Sequence, residues 1–552
     1  MNTTTTTTTT KVRWAVRLAI VATAIAACWF ALAGCDERSE LWNRPTARAE
    51  AYGLTDAVAV ADPDAERVVL LTTDAERGVH TSYVPVQRGV RVVRPAPDGS
   101  KLFLTSEGDG EGRPPEGRAA QGAALEVVTR NAGAAVRYPL GEPLTGLALD
   151  PRGGWAVLYA DAASTAFVRN PNELLLVDLG RGPATGASPN PLPHTLRSFG
   201  GRPQRFTFTD ELQLPGGARR LLIVETEQDV AILDLRSPDA PEITIQLTTG
   251  TDTRRLRPAG VIWSDGDAAD DDARIGIRLD GDPTMLLVRL VPGDDGDFRP
   301  ELNITDLRGV PSDAAFVRTD GGALALAALV PSRSAAVLVD PTTGLTTDVT
   351  LPAAYKRLSL VTEAAGGGGT PGAPVDVALL WNGDGGGAAF WELGRTVGRP
   401  YRSVETVGIT AGVTAVVDVT GAHPELKILG TTASTFFLLD LRSRTAAPFV
   451  TSQQVVSVTV AAGGDRAWAF VPGSRDLAVV GLVDRHPVEM QIDREISQLF
   501  EIAAAAPGTP TGTRSLVAWQ AQGSGGITVY DARATSDIDD RRNYSAILTG
   551  GL

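Results

Sequence analysis

Runs of apolar residues alternate along this chain with short polar turns, and almost none of them shows a helical period. The stretch at 426–442, LKILGTTASTFFLLDLR, is representative. It reads as a strand, a turn of small polar residues, and a second strand ending in Asp440. An alternating run such as TAVVDVT precedes it, and a fourth run of lesser strand character usually follows a unit of this kind. Ten such phrases can be laid end to end, the first taken to open at DAVAVAD and the last running from SQLFEIA to ITVYDAR. Asp178, Asp234, Asp340, Asp440 and Asp531 close corresponding strands. They stand one or two periods of roughly 50 residues apart.

A period of that length with three or four strands per repeat predicts an all-β fold, a single large β-propeller of about ten blades, with eight to ten allowed. One blade cannot bury both of its faces alone, so each must pack on its neighbours around an axis. Near-continuous apolar runs such as LLLVD and FFLLD are what two-sided burial requires. Trp381, Trp468 and Trp519 fall on the first hairpin strand of three phrases and are expected to pack between blades. The recurring aspartate resembles the one that ends the third strand in WD-type and YVTN-type propeller repeats. There it accepts backbone N–H bonds from the following turn. The Gly-His pair and terminal Trp-Asp of the full WD signature are missing.

The N-terminus follows different rules. After a low-complexity MNTTTTTTTT, the basic residues Lys11, Arg13 and Arg17 precede a nearly unbroken apolar run from Leu18 to Ala33. The run is short for a membrane span and suits a signal-peptide core. It ends in Leu32-Ala33-Gly34-Cys35, which resembles the lipobox of bacterial lipoproteins. The resemblance implies cleavage before Cys35, lipid on its thiol, and stable anchoring of the mature chain to a membrane of the bacterial envelope. Asp36 resembles the inner-membrane retention signal of enterobacterial lipoproteins. The expected organisation is a signal peptide at 1–34, a lipidated N-terminus and tether at 35–53, and the propeller at 54–552.

Composition narrows the function. The formal net charge is −14, and so acidic a chain repels phosphate backbones, which argues against nucleic acid as a partner. The two cysteines, Cys28 and Cys35, both precede the repeats, so no disulfide framework or cysteine zinc site is available there. His80, His194, His423 and His486 lie in different phrases without metal-ligand spacing. No nucleophile elbow, zinc-protease helix or phosphate loop occurs. The acidic stretches from Asp265 to Asp272 and from Asp294 to Asp297 offer carboxylates to calcium but lack the EF-hand register, and read as solvated turns. No cofactor is expected.

Two phrases break the pattern with insertions inside their hairpins, at 107–122 and 161–172. Extra loop on a rigid scaffold is where binding is commonly placed. The insertions carry Arg113, Arg118, Arg169, Asn170 and Asn172, the candidate partner-binding residues on an acidic chain. The opposing possibility is that the arginines pair with Glu107, Asp109, Glu111 and Asp161 of the same loops. The expectation is therefore an envelope-anchored, non-catalytic scaffold for a protein or peptide. Two alternatives are a lactonase-type hydrolase with a carboxylate-bound metal at the channel mouth and a binder of polysaccharide or small ligands.

Overall fold

The computed structural model describes residues 49–549, apart from short connections, of which the longer lie at 184–188, 248–254, 266–271, 362–376, 394–402, 452–456, 505–511 and 534–540. Residues 1–48, with the leader, Cys35 and most of the tether, lie outside the described residues.

The chain folds into ten four-stranded antiparallel sheets, each built from consecutive strands in sequence order. They form a ten-bladed β-propeller. Blades 1 to 10 span 50–85, 90–139, 146–195, 203–246, 258–306, 313–350, 357–407, 413–450, 457–491 and 498–545. Strands are lettered a to d within a blade. The a strands of neighbouring blades approach one another most closely, which places them around the axis, with the d strands at the rim. Among the described residues helix is confined to short 3₁₀ turns such as Pro63–Ala65 and Pro331–Arg333.

Blade 1 opens earlier than its apolar pattern indicates. Its a strand is Glu50–Gly53, inside the stretch read as tether, and the Val58–Asp62 run is its b strand. EAYG has no apolar alternation of its own. It becomes a strand by pairing with Val58–Asp62 and burying Ala51 against blade 10.

Every junction between neighbouring blades holds its own cluster of buried apolar side chains, from blades 1–2 round to 10–1. The ring is therefore closed by packing, and among the described residues no strand is exchanged between the first and last blades. At the 10–1 junction Val58, Val60, Val69 and Leu71 meet Ile502, Val517, Trp519, Ile527 and Val529. Ile547 and Leu548, beyond the last strand, join the same cluster. Hydrogen bonds that cross it include Ala503 N–H to the Thr55 carbonyl (3.0 Å), Thr73 Oγ1 to Ser515 Oγ (3.0 Å), Tyr544 O–H to the Arg77 carbonyl (3.0 Å) and the Arg67 guanidinium to the Leu548 carbonyl.

Trp468 and Trp519 are fully buried at junctions 9–10 and 10–1, and Trp381 packs partly buried at 7–8. The recurring aspartates cap the turn that follows strand c. Each accepts the backbone N–H two residues on: Gly180 (3.0 Å), Arg236 (2.8 Å), Thr342 (2.8 Å), Arg442 (2.9 Å) and Arg533 (2.8 Å). The caps are exposed, and each carboxylate satisfies a turn N–H that would otherwise be left to water where the ladder ends.

Candidate functional site

In a propeller of this topology the b–c connections and the d-to-a links share one face. The insertions at 107–122 and 161–172 are the b–c connections of blades 2 and 3, so they rise from adjacent blades on that face.

The neck of the first insertion is held by Arg88, in the link between blades 1 and 2. Its guanidinium grips Asp109 with two bonds (2.6 and 2.9 Å) and donates to the Ala119 carbonyl (2.9 Å). Asp109 also accepts the Gln121 N–H (2.7 Å), and the Gln121 amide accepts the Arg88 N–H (2.9 Å). The Arg88 contact, with that backbone N–H, holds the Asp109 carboxyl below its ordinary range. Gly108 closes the neck at φ +66°, where a Cβ would stand 2.2 Å from the Gln121 carbonyl oxygen. Glu107 is taken by Arg91 (2.8 Å).

Arg118, on the described part of this loop, pairs with Glu66 of blade 1 at 2.6 Å. In the second insertion the Arg169 N–H bonds Glu142 (3.0 Å), in the link from blade 2, and its side chain lies 3.8 Å from the same carboxylate. Asn170 Oδ1 accepts the Asn172 N–H (3.2 Å), and the Asn172 carbonyl accepts the Leu196 N–H (3.0 Å), so both asparagines shape the base of the loop. Arg113 and Glu111 lie outside the described residues. Arg118 and Arg169 thus turn to acids on the preceding blade, while Glu107 and Asp109 are engaged by arginines at the neck. Between Val168, packed into the junction of blades 2 and 3, and the opening turn stands Phe167, 71% exposed. The sequence reading passed over Phe167. Its signal was an aromatic residue in a polar insertion with no periodic partner.

A second feature of this face was also not read from sequence. The a strands of blades 2, 4, 5 and 8 each carry a register shift near their start, between Val90 and Val92, Pro203 and Arg205, Pro258 and Gly260, and Val413 and Ala415. A bulge re-aims the extra residue and frees its backbone from the ladder. Arg91, Gln204 and Thr414, the extra residues of three of them, are exposed at the channel mouth. In blade 5 the extra residue is Ala259, and its carbonyl accepts from both Arg205 (3.0 Å) and Arg278 (3.2 Å). Glu225, 2% exposed, lies 3.1 Å from Arg205. Burial pushes the Glu225 carboxyl up, against the pull of Arg205 and Arg278. Burial likewise draws Arg278 down.

The described histidines stay in separate blades. His80 bonds Asp74 (3.1 Å), His194 sits between the Pro238 carbonyl (3.1 Å) and Glu242 (3.3 Å), and His423 meets Glu425 (3.2 Å). His486 lies outside the described residues. Of the acidic stretches, Asp265 pairs with Arg318 (3.6 Å), Asp272 with Arg289 (2.6 Å) and Asp297 with Arg219 (3.1 Å). Residues 266–271 and 294–296 are outside the description. Among the described residues no group of three or more His, Cys, Asp or Glu is placed to hold a metal ion.

No protein-family model matches the chain, and no curated protein matches it by sequence. Solved structures resemble it in architecture. They include the dihydro-heme d1 dehydrogenase NirN (12% identity, TM-score 0.38, covering 82% of this chain and 76% of that one). Sqt1 of Saccharomyces cerevisiae is similar at 13% identity and TM-score 0.36, over 81% of this chain and 96% of its own. The Dos1 propeller is similar at 13% identity and TM-score 0.38, over 70% and 92%. These likenesses concern the fold and say nothing of activity.

Proposed function

We propose that this chain is a lipid-anchored protein of the bacterial cell envelope whose propeller binds a protein or peptide partner, without catalysis, through the sector carrying the two insertions. The observation that supports the reading best is Phe167. It is a large apolar side chain held out to solvent on an anchored loop, on the same face as Arg118 and Arg169. Exposed aromatic and arginine side chains on a rigid base are the residue types that dominate interface energetics. The ion pairs to Glu66 and Glu142 are exposed and contribute only about 0–1 kcal/mol each, so either arginine can exchange its partner for an incoming carboxylate at little cost. Anchoring rests on the Leu32-Ala33-Gly34-Cys35 resemblance. A tether and a thick ring would hold the partner near the membrane.

The test compares the parent with Phe167→Ala and with a combined Arg118→Ala, Arg169→Ala variant, by affinity capture from solubilised membranes followed by mass spectrometry. Loss of the same captured protein from both variants, at unchanged thermal stability, is expected. An identical captured set in parent and variants overturns the sector. Cys35→Ser is expected to move the chain out of the membrane fraction or leave the leader uncleaved. Unchanged fractionation and mass would refute the anchoring.

A further inference from the structure

Toward the opposite face of the ring from the insertions, blades 5 and 6 part at the rim around a cavity of about 140 Å³. One wall is blade 5. Arg274, Arg289 and Glu301 stand in register across its strands b, c and d, and Leu287 pairs with Asn303 two residues further on, so these side chains share the sheet face turned to blade 6. The other wall is blade 6, with Phe316 of strand a and the turn at 340–345 between strands c and d. The Arg274 guanidinium spans the two walls, donating to the Pro341 carbonyl (3.2 Å) and to Thr342 Oγ1 (3.1 Å). Gly344, at φ +72°, brings the same turn so close that a Cβ on it would stand 3.1 Å from Asn303 Nδ2. Leu287 and Phe316, 4% and 8% exposed, form the floor.

The charges around this cavity answer one another. Arg289 bonds Asp272 (2.6 Å), Arg299 bonds Glu301 (3.0 Å), Arg274 grips the turn headed by Asp340, and nearer the axis Arg318 lies 3.6 Å from Asp265. Among the described residues each arginine is thus matched by an acid, and no surplus charge is offered to an ion. What remains is hydrogen-bonding capacity of both kinds. The half-buried Asn303 side-chain amide makes no hydrogen bond among the described residues, so its donors and its acceptor are open. Thr342 Oγ1 accepts from Arg274 and keeps its own hydrogen to donate. The second Glu301 oxygen, Oε2, lies 3.9 Å from Arg289, beyond hydrogen-bonding distance, and keeps its lone pairs.

We infer that this cavity binds one ring of a neutral polyhydroxyl molecule, the chemistry of a monosaccharide unit. A hydroxyl both donates and accepts, and neighbouring hydroxyls on a ring match the mixed set offered by Asn303, Thr342 and Glu301. The C–H face of the ring meets the apolar floor of Leu287 and Phe316. The size agrees, because about 140 Å³ is well below the roughly 300–1,000 Å³ of a drug-sized pocket and admits a single ring. A small carboxylate or amine is disfavoured, since each would have to draw a partner out of an existing ion pair. The cavity is remote from the insertion-bearing sector, so either can fail without the other.

Full-chain protein in detergent is titrated by saturation-transfer NMR, against a micelle-only blank, with the methyl glycosides of glucose, galactose and mannose and with cyclohexanol, acetate and methylamine. At least one glycoside is expected to bind more tightly than cyclohexanol, which has the ring without the array of hydroxyls, and more tightly than either ion. Asn303→Leu and Thr342→Val should each weaken that binding about fivefold or more at unchanged thermal stability. Should Asn303→Leu unfold, Thr342→Val decides, because Thr342 lies on an exposed turn. Ser82→Ala, on the outer strand of blade 1, should leave the affinity unchanged. A trisaccharide that binds more tightly than the methyl glycoside of the same sugar assigns the site to a chain end, and weaker binding assigns it to a free sugar. Cyclohexanol or either ion binding as tightly as the best glycoside, parent affinity in Thr342→Val, an equal loss in Ser82→Ala, or no glycoside binding up to about 50 mM would each overturn the inference.

Discussion

Closure of the ring can be tested at Trp519. This side chain sits in strand b of blade 10, 1% exposed, against Val58, Val60, Val69 and Leu71 of blade 1. Its ring also lies over Gly525, where a Cβ would be 2.8 Å from Cη2, so the backbone leaves no room for the indole to move. Returning roughly 200 Å² of aromatic surface to water, at about 25 cal/mol per Å², amounts to about 5 kcal/mol. Truncations of buried aromatic residues cost about 3–5 kcal/mol once the site relaxes. Trp468→Ala supplies the reference, because Trp468 occupies the corresponding strand at junction 9–10, equally buried but outside the closing junction. Urea unfolding followed by fluorescence and circular dichroism should give similar losses of about 3–5 kcal/mol for the two variants. A loss below about 1 kcal/mol for Trp519→Ala, beside a full loss for Trp468→Ala, would mean that blade 10 does not bear on blade 1 in solution. The closed ring would then be wrong.

Further outcomes follow from particular contacts. Asp150 is buried; burial alone would raise its carboxyl, but the two bonds from Arg220 (2.6 and 2.8 Å) and the N–H groups of Arg152 and Gly154 outweigh it and leave the group below its ordinary range. A carboxyl depressed in the folded state contributes stability that is fully present above its ordinary value and lost as pH falls through the depressed one, so Asp150→Asn should flatten the acid limb of a stability–pH curve. Arg220→Ala should cost about 3–5 kcal/mol by stranding that carboxylate between blades 3 and 4, and an unchanged melting temperature would refute the pairing. Asp440→Ala removes the acceptor for the N–H groups of Arg442 (2.9 Å) and Ser443 (3.1 Å) and should cost about 1 kcal/mol in thermal unfolding, since an exposed turn can turn to water.

Much of this architecture is set by local pattern. Two-sided apolar runs, turns at fixed intervals and an aspartate at the end of five of the c strands are all encoded within a few residues. They specify strand, turn and repeat length, and ten phrases in the chain become ten sheets. The turn caps at Asp178, Asp234, Asp340, Asp440 and Asp531 were legible for the same reason: donor and acceptor stand two residues apart. The Glu50–Gly53 strand was not, because four residues with one buried side chain have no period to read, and pairing and the neighbouring blade decide their state. The partners of Arg118 and Arg169 lie 52 and 27 residues away in sequence, in or beside the preceding blade, and nothing in either loop indicates which acid will be near. The contacts of Arg205 and Arg278 were equally hidden. They join blades 4, 5 and 6, and the a strands of blades 4 and 5 that they touch carry bulges near their starts. Strand and turn are properties of neighbours along the chain; which charges face one another around a channel is fixed when the ring closes.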